Sequence, residues 1–407
     1  MRNMNIVEPE TTADRFVDGR TAPTVVHVAG HELTMFVQSA PLMNAMAADI
    51  SAAKNRVWLE SYIFADDAAG QQVATALCER ARAGLDVRVL YDGLGSIRTS
   101  SAFFERMARA GVKVHAFHTI WQAMREFAFL RVLNRRDHRK LLIVDDAVAY
   151  FGGMNIVDQR GIATVADAKA RHLPVSSGWR DVHVRLFGPQ QAKIARAFDR
   201  LWRRANHEPR VAWPRWPITR MLRSRRESIF FFDSRPGLRY RRPQRVFVPL
   251  IRSARRNITL SMAYFIPQGR ILRALVRARR RGITIRVIVP GKSDVRAVQC
   301  ATRHFYAYLL KRGFRIYEQG DYMLHSKVMV VDQEWSVVGS CNLDPRSLRF
   351  NLEFVAVIHA RSTAAVMKRI CHYEMQKSRR VTEADVARRS WWQRLTDRLA
   401  WSFRKWL

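Results

Sequence analysis

The chain has 407 residues, 48% hydrophobic and 26% charged, a globular balance large enough for two or three domains. Lysine and arginine number 70 against 35 acids, a net charge of +35 that favours a polyanion: nucleic acid, an anionic membrane surface or a phosphorylated substrate. The four cysteines, Cys78, Cys300, Cys341 and Cys371, form no CxxC pair, which excludes a disulfide framework and a structural zinc site and fits a reducing compartment.

Residues 1–30 read as an N-terminal extension without the apolar core of a signal peptide. No run in the chain reaches the roughly 18 apolar residues of a spanning helix, so the expectation is a protein that does not cross a membrane. From residue 31 to 206 a first lobe is predicted. In it "ISAAKNRVWLESYIF" reads as a strand, "ALCERARAG" as a helix closing at Gly84, and "LDVRVLYDG" as the next strand. A second helix closes at Gly111, and "VKVHAF" is a short strand. The segment Ile120–Asp137 mixes bulky apolar residues with Arg125, Arg131, Arg135 and Arg136, and reads equally as a lip for acyl chains or as a core helix. Then comes "HRKLLIVDDAVAYFGGMN".

Residues 207–245 break the pattern, with eleven arginines, three acids and "WPRWP". They read as an Arg-rich connector with aromatic anchors or as a solvated linker. From 246 to 378 the first plan repeats: "NITLSMAYF", a helix closing at Gly282, "ITIRVIVPG", a helix closing at Gly313, "FRIYEQ", and then "HSKVMVVDQEWSVVGSCN". Residues 379–407 form a basic amphipathic segment. In it Trp392, Leu395, Leu399, Phe403 and Trp406 recur on one helical face, Ser390 and Gln393 suit a capping box, and Arg394, Arg398, Arg404 and Lys405 add charge. Such a helix reads as an interfacial anchor, the alternative being a terminal helix docked on the protein's own core. Strands alternating with helices imply an α/β fold with largely parallel or mixed sheets.

The two related segments carry the chemistry. His138 and Lys140 are two residues apart, as are His325 and Lys327, so each pair shares one strand face at the start of an apolar run, "LLIV" or "VMVV". Asp145 and Asp332 close the runs seven residues after each histidine. That odd offset puts them on the other face, so within the motif they read as structural, bracing the turn or the other half rather than touching the histidine. Asn155 and Asn342 both lie 17 residues after their histidines, behind Gly152-Gly153 or Gly339-Ser340, where small residues let backbone approach a ligand. One such pattern is weak, but two with matching offsets are specific. Lysines and amide donors together cradle a tetrahedral anion, Ser340 being a further candidate donor. One imidazole attacks phosphorus and the other protonates the leaving oxygen. This donor set calls for no metal and no cofactor. A nucleophilic imidazole needs its far nitrogen held, and Asp181 in "GWRDVHVRL" and Glu353 in "RSLRFNLEF" are the candidates.

At "HRKLLIVD", "FGGMNI", "GWRDVHVRLFGP", "HSKVMVVD" and "GSCNLDPRSLRFNLEF" the sequence resembles the phospholipase D superfamily with its duplicated HxKx4D signature. In particular it resembles bacterial cardiolipin synthases without an N-terminal membrane span. The resemblance runs from about Thr34 to Cys371, and the first copy departs only in having Gly153 where the second has Ser340. It implies two pseudo-two-fold-related α/β/α lobes with one shared active site. It further implies a histidine nucleophile, taken as His138, and Asp181 and Glu353 rather than the motif aspartates as the groups that orient the imidazoles. The reaction implied is transfer of a phosphatidyl group from a glycerophospholipid to phosphatidylglycerol, giving cardiolipin. Phosphatidylglycerol and phosphatidylethanolamine are the candidate substrates. The expected setting is the anionic surface of a bacterial cell membrane, bound peripherally on its cytoplasmic face, with no protein partner and with nucleic acid disfavoured. Three alternatives remain open at this stage: a phospholipase D-type hydrolase, a nuclease of the same superfamily, and a binding protein without catalysis.

Overall fold

The computed structural model describes residues 23–118, 135–158, 178–206, 208, 218–234 and 242–404. Most of Ile120–Asp137, the "WPRWP" stretch, Lys405 and Trp406 lie outside the described residues. The chain builds β1 (Thr24–Val28), β2 (His31–Phe36), β3 (Arg56–Ser61), β4 (Asp86–Asp92), β5 (Lys113–Phe117), β6 (Leu141–Val144), β7 (Val148–Gly152), β8 (Trp179–Arg180) and β9 (His183–Phe187). All of these except β8 form one eight-stranded sheet in the order β1-β2-β9-β7-β6-β3-β4-β5. The strands β10 (Ser228–Asp233), β11 (Asn257–Met262), β12 (Thr284–Pro290), β13 (Arg315–Gln319), β14 (Met323–Leu324), β15 (Lys327–Val331), β16 (Trp335–Gly339), β17 (Phe354–His359) and β18 (Ser378–Val381) follow. All but β14 make the second sheet, β10-β17-β16-β15-β11-β12-β13-β18.

Both sheets are mixed, and seven strands correspond, with β1 added at one edge of the first sheet and β18 at the opposite edge of the second. β3, β4 and β5 run parallel through helical crossovers, as do β11, β12 and β13. β6 and β15 pair antiparallel with β3 and β11, so the His-x-Lys segments enter the middle of each sheet. The crossover helices Ala68–Arg82 and Gly269–Arg280 end at Gly84 and Gly282, each with φ of +86°, the left-handed turn that a side chain disfavours. β10 pairs with β17 as β2 pairs with β9. The second copy of the plan therefore begins at Ser228, inside the stretch read from composition as a connector over 207–245. The arginines around "SIFFFD" hid a strand whose register is set by β17.

Alternate residues of the central strands face opposite cores, as a period of two requires. Leu142 and Val144 join a cluster with the outer helices Ser39–Ser51, Ala68–Arg82 and Ser101–Arg109. Leu141 and Ile143 face inward, into a cluster shared with Val328, Val330, Phe354 and the inner helices Gln191–Ala205 and Arg361–Gln376. The lobes thus pack against each other through a common apolar core, in which Phe151 lies 5.6 Å from Phe231 and 6.0 Å from Phe354. Arg200 adds a buried ion pair across the lobes to Asp233 at 2.7 Å. Every residue of Leu141–Val144 and Lys327–Val331 is buried. At about 1.5–3 kcal/mol for each large apolar side chain, this burial holds the polar residues at the strand starts in place. Among the described residues no helix is long and apolar enough to cross a membrane.

Candidate active site

Each motif histidine is placed by backbone pairing to the opposite lobe. Asp137 bridges Leu352 in parallel, the His138 N–H donates to the Leu352 carbonyl at 3.0 Å, and the Leu352 N–H donates to the Arg136 carbonyl at 2.9 Å. In the other copy β14 pairs in parallel with β8, and the His325 N–H donates to the Arg180 carbonyl at 2.8 Å. The residue after each acceptor is the carboxylate: Glu353 after Leu352, Asp181 after Arg180. One symmetric strand pairing therefore delivers Glu353 to His138 and Asp181 to His325, each carboxylate crossing from the other lobe.

The side chains complete the exchange. His325 Nδ1 lies 2.7 Å from Asp181 Oδ2, and His138 Nδ1 lies 3.2 Å from Glu353 Oε2 and 3.1 Å from the Ser340 carbonyl. Lys327 Nζ donates to Asp181 Oδ2 at 3.0 Å and to the His325 carbonyl, while Lys140 Nζ donates to the His138 carbonyl at 2.7 Å. The residue between each histidine and lysine points away, as strand periodicity demands, and is tethered there. Arg139 lies 2.5 Å from Glu60, and Ser326 donates to Glu374 at 3.2 Å, with Ser261 on the same carboxylate at 2.6 Å. Both carboxylate anchors, Asp181 and Glu353, are fully enclosed, whereas His138 and His325 keep 9% and 6% of their surface, enough for a substrate atom to reach a ring edge. Tyr62, 5.1 Å from the His138 ring, and Trp179, 5.1 Å from the His325 ring, wall the pair, with Tyr264 at 6.4 Å.

The two halves are electrostatically unequal. Burial pushes Glu353 up to about 8, against the pull of the Ser340 hydroxyl and Lys140. Burial acts on Asp181 too, but the Lys327 charge and the hydrogen bond from His325 outweigh it and hold Asp181 below the usual carboxylate range. His138, desolvated and facing Lys140 and Lys327, is driven well below the ordinary imidazole value. His325 is lowered by burial and by Lys327, with Asp181 working in the opposite sense. Lys140, buried and repelled by Lys327, falls to about 7. Of the two histidines, His325 has the carboxylate that favours its charged form, whereas burial and two lysines disfavour a proton on His138 more strongly.

The structure brings His138, Lys140, Asp181, His325, Lys327 and Glu353 together. Asn155 and Asn342 border the same site. Their Oδ1 atoms accept from Ile63 N at 3.1 Å and Tyr264 N at 3.3 Å, so the amide nitrogens are the atoms left to donate. Ser340 has a different role from the one expected. Its hydroxyl donates to Glu353 and accepts from Phe354 N at 3.1 Å, which commits it to bracing the carboxylate rather than to a phosphate. Asp145 and Asp332, counted with the catalytic motif, sit at the far ends of β6 and β15. Asp145 caps Lys54 N, Asn55 N and Arg56 N at 2.8–3.0 Å, and Asp332 caps Arg255 N, Arg256 N and Asn257 N. Each ties the strand end to the loop entering β3 or β11, and neither touches a histidine.

The departure at Gly153 has a steric cause. A Cβ there would stand 2.3 Å from both Asp181 oxygens, so the short Asp occupies the room that Ser340 fills beside the longer Glu353. Sequence reasoning missed Ser234, which locks the Glu353 backbone in both directions, with Glu353 N to Ser234 Oγ at 2.7 Å and Ser234 N to Glu353 O at 2.8 Å. It also missed Asp92, which accepts from Arg136 Nη2 at 2.7 Å and Asp137 N at 2.8 Å and so braces the approach to His138. Tyr62 and Tyr264 were visible as near-matching aromatics after β3 and β11. Asp92 and Ser234 left no such signal.

Comparison with known proteins agrees with this architecture. The family described as "Cardiolipin synthase, PLD-like domain" matches residues 46–168 and 247–374, once in each lobe. The chain is 30% identical to a cardiolipin synthase of Listeria monocytogenes over 89% of its own length and 72% of the relative's. It is 31% identical to the major cardiolipin synthase ClsA of Bacillus subtilis over 86% and 70%. A match of 29% to the cardiolipin synthase of Halalkalibacterium halodurans spans 85% of the chain and 66% of that protein. The fold is shared with the crystal structure of a phosphatidylserine synthase from Haemophilus influenzae, with a TM-score of 0.68 at 12% identity, covering 96% of this chain and 97% of that one. With one family match in each lobe and a histidine-lysine pair from each lobe at the junction, the chain belongs to the cardiolipin synthase family of phospholipase D-like phosphatidyltransferases.

Proposed function

We propose that this protein makes cardiolipin by moving a phosphatidyl group from one phosphatidylglycerol to a hydroxyl of another, through a phosphohistidine on His138. The observation that carries this reading is the crossed pairing of His138 with Glu353 and of His325 with Asp181, each across the two lobes. His138 Nδ1–H is held by the Ser340 carbonyl and Glu353, which leaves Nε2 as the lone-pair nitrogen aimed at phosphorus. It attacks, the P–O bond to the glycerol head group breaks, and His325 passes its proton to the leaving oxygen. An N–P bond now holds the phosphatidyl group. The acceptor hydroxyl then gives its proton to His325 and bonds to phosphorus as the N–P bond breaks, which returns both histidines to their starting states with cardiolipin and free glycerol as products. Lys140, Lys327, Asn155 and Asn342 supply positive charge and N–H donors for the two non-bridging oxygens as charge builds on them. Phosphatidylethanolamine is a second candidate donor for the same steps, with ethanolamine leaving.

The test is incubation with labelled phosphatidylglycerol, with and without phosphatidylethanolamine, followed by lipid separation, with DNA offered in parallel. Labelled cardiolipin is expected from the native protein and none from folded His138→Ala or His325→Ala. Phosphatidic acid as the main product would replace the acceptor hydroxyl by water and overturn the transferase reading. DNA cleavage without lipid turnover would move the protein to the nucleases.

A further inference from the structure

The C-terminal helix Trp391–Ser402 has two apolar faces, and only one is used inside the protein. On its inner side Trp401 stacks on Phe305 at 5.1 Å and lies tilted against His304 at 5.4 Å. Asp397, nearly fully buried, pairs with Arg389 at 2.8 Å. Ser390 and Gln393 cap its start reciprocally. On the outer side Trp391, Trp392, Leu395, Leu399 and Phe403 are 49–62% exposed. These are five of the exposed large apolar residues of the described chain, gathered on one helix about 18 Å long. The helix is thus docked on one side, while the apolar face that the sequence predicts is uncovered.

The position of the helix gives the uncovered face a meaning. Ala400 and Trp401 pack with Tyr264 around Ile266, Val298 and Ala301. Tyr264 lies against His325, and its hydroxyl donates to the exposed Asp294 at 2.8 Å, just ahead of the helix Arg296–Leu310 on which the C-terminal helix rests. The docked side of the helix is therefore linked to His325 through Tyr264. Flanking it, a cavity of about 730 Å³ between the two helices is lined by Arg303, Lys311, Arg389, Arg394 and Arg398, with Asp397 and Glu383 as the acids. An apolar row bordered by guanidinium groups matches acyl chains bordered by phosphates.

We infer that the outer face of Trp391–Ser402 seats the protein on an anionic lipid surface and presents the mouth of the active site to it. The occupant is a bilayer because the cationic border would repel a second copy of so basic a chain, and because the neighbouring site, on the reading proposed above, takes its substrate from lipid. Trp392 and Leu399 enter the acyl boundary, and Arg394 and Arg398 stay at the phosphates.

The test uses the full chain carrying Trp392→Ser and Leu399→Ser, two exposed positions outside the inner dock, with unchanged melting as the control for folding. Flotation with phosphatidylglycerol vesicles and turnover of vesicular phosphatidylglycerol are expected to fall by about tenfold or more. Turnover of a dispersed short-chain phosphatidylglycerol is expected to stay at the native level. Unchanged flotation overturns the proposal. So does conversion of a dimer to a monomer in sedimentation with flotation intact, which would make the face an interface between copies. Native protein that floats with vesicles but turns over neither substrate would overturn the transferase reading and leave the docking surface standing.

Discussion

Replacing Asp181 by Asn tests the crossed site most directly. The substitution keeps shape and removes one charge from a fully enclosed position. That charge accepts from His325 Nδ1 at 2.7 Å and from Lys327 Nζ at 3.0 Å, from the other lobe. Hydrogen bonds between charged partners of this kind are worth about 1.5–3 kcal/mol each. The bond to His325 counts twice in the cycle, because it keeps the proton on His325 for the first step and stabilises the imidazolium formed in the second. A loss of about 3–5 kcal/mol corresponds to roughly 10²–10⁴-fold in kcat. The pH profile carries a further signature. His325 must be protonated to act as the acid, so activity falls as pH rises through its pKa, and Asp181 is the group that raises that pKa against burial and Lys327. In Asp181→Asn the falling limb therefore moves to lower pH, whereas the rising limb, set by loss of the proton from His138, stays in place. The assay is initial-rate cardiolipin formation over a range of pH, with circular dichroism to confirm the fold. A kcat within about threefold of native and an unmoved falling limb would refute the assignment of Asp181 to His325.

Asp145→Asn should leave the catalytic groups in place and lower stability instead, by about 1–3 kcal/mol, because it weakens three hydrogen bonds from backbone N–H groups. Burial raises Asp145 slightly, but those N–H donors win and hold its pKa below the ordinary value. Its contribution is therefore present above the unfolded-state pKa of about 4 and is lost as pH falls through the lower folded value. The gap in melting temperature between native and variant should accordingly close in acid, and a gap that persists there would count against the capping role. Gly153→Ala places a methyl 2.3 Å from the Asp181 oxygens, so kcat should drop by at least about 10²-fold. A threefold effect or less in that variant would mean that Asp181 has a second workable position.

Much of this was readable from local rules. A strand has a period of two, so His138 with Lys140 and His325 with Lys327 had to share a face, and Asp145 and Asp332, seven residues on, had to leave it. What they brace is not local, since Asp145 caps Lys54, Asn55 and Arg56 and Asp332 caps Arg255, Arg256 and Asn257, but the repeat was visible because both copies obey the same rules. Composition misled where an element draws its register from a distant neighbour. Ser228–Asp233 lay hidden among arginines because only β17 makes it a strand.

What the sequence determined by itself was the content of the two half-sites together: two imidazoles, two lysines, two asparagines, and two candidate carboxylates. What only the tertiary structure decided was their partnership. Asp181 and Glu353 follow residues that accept a backbone hydrogen bond from the opposite lobe, 144 and 215 positions away from the histidines they serve. No periodicity along one strand encodes such a contact, because it depends on how two sheets close over a shared core. The same holds for the C-terminal helix. Its spacing predicts an apolar face, but the stacking of Trp401 on Phe305 and the burial of Asp397 choose which side docks and which side stays open.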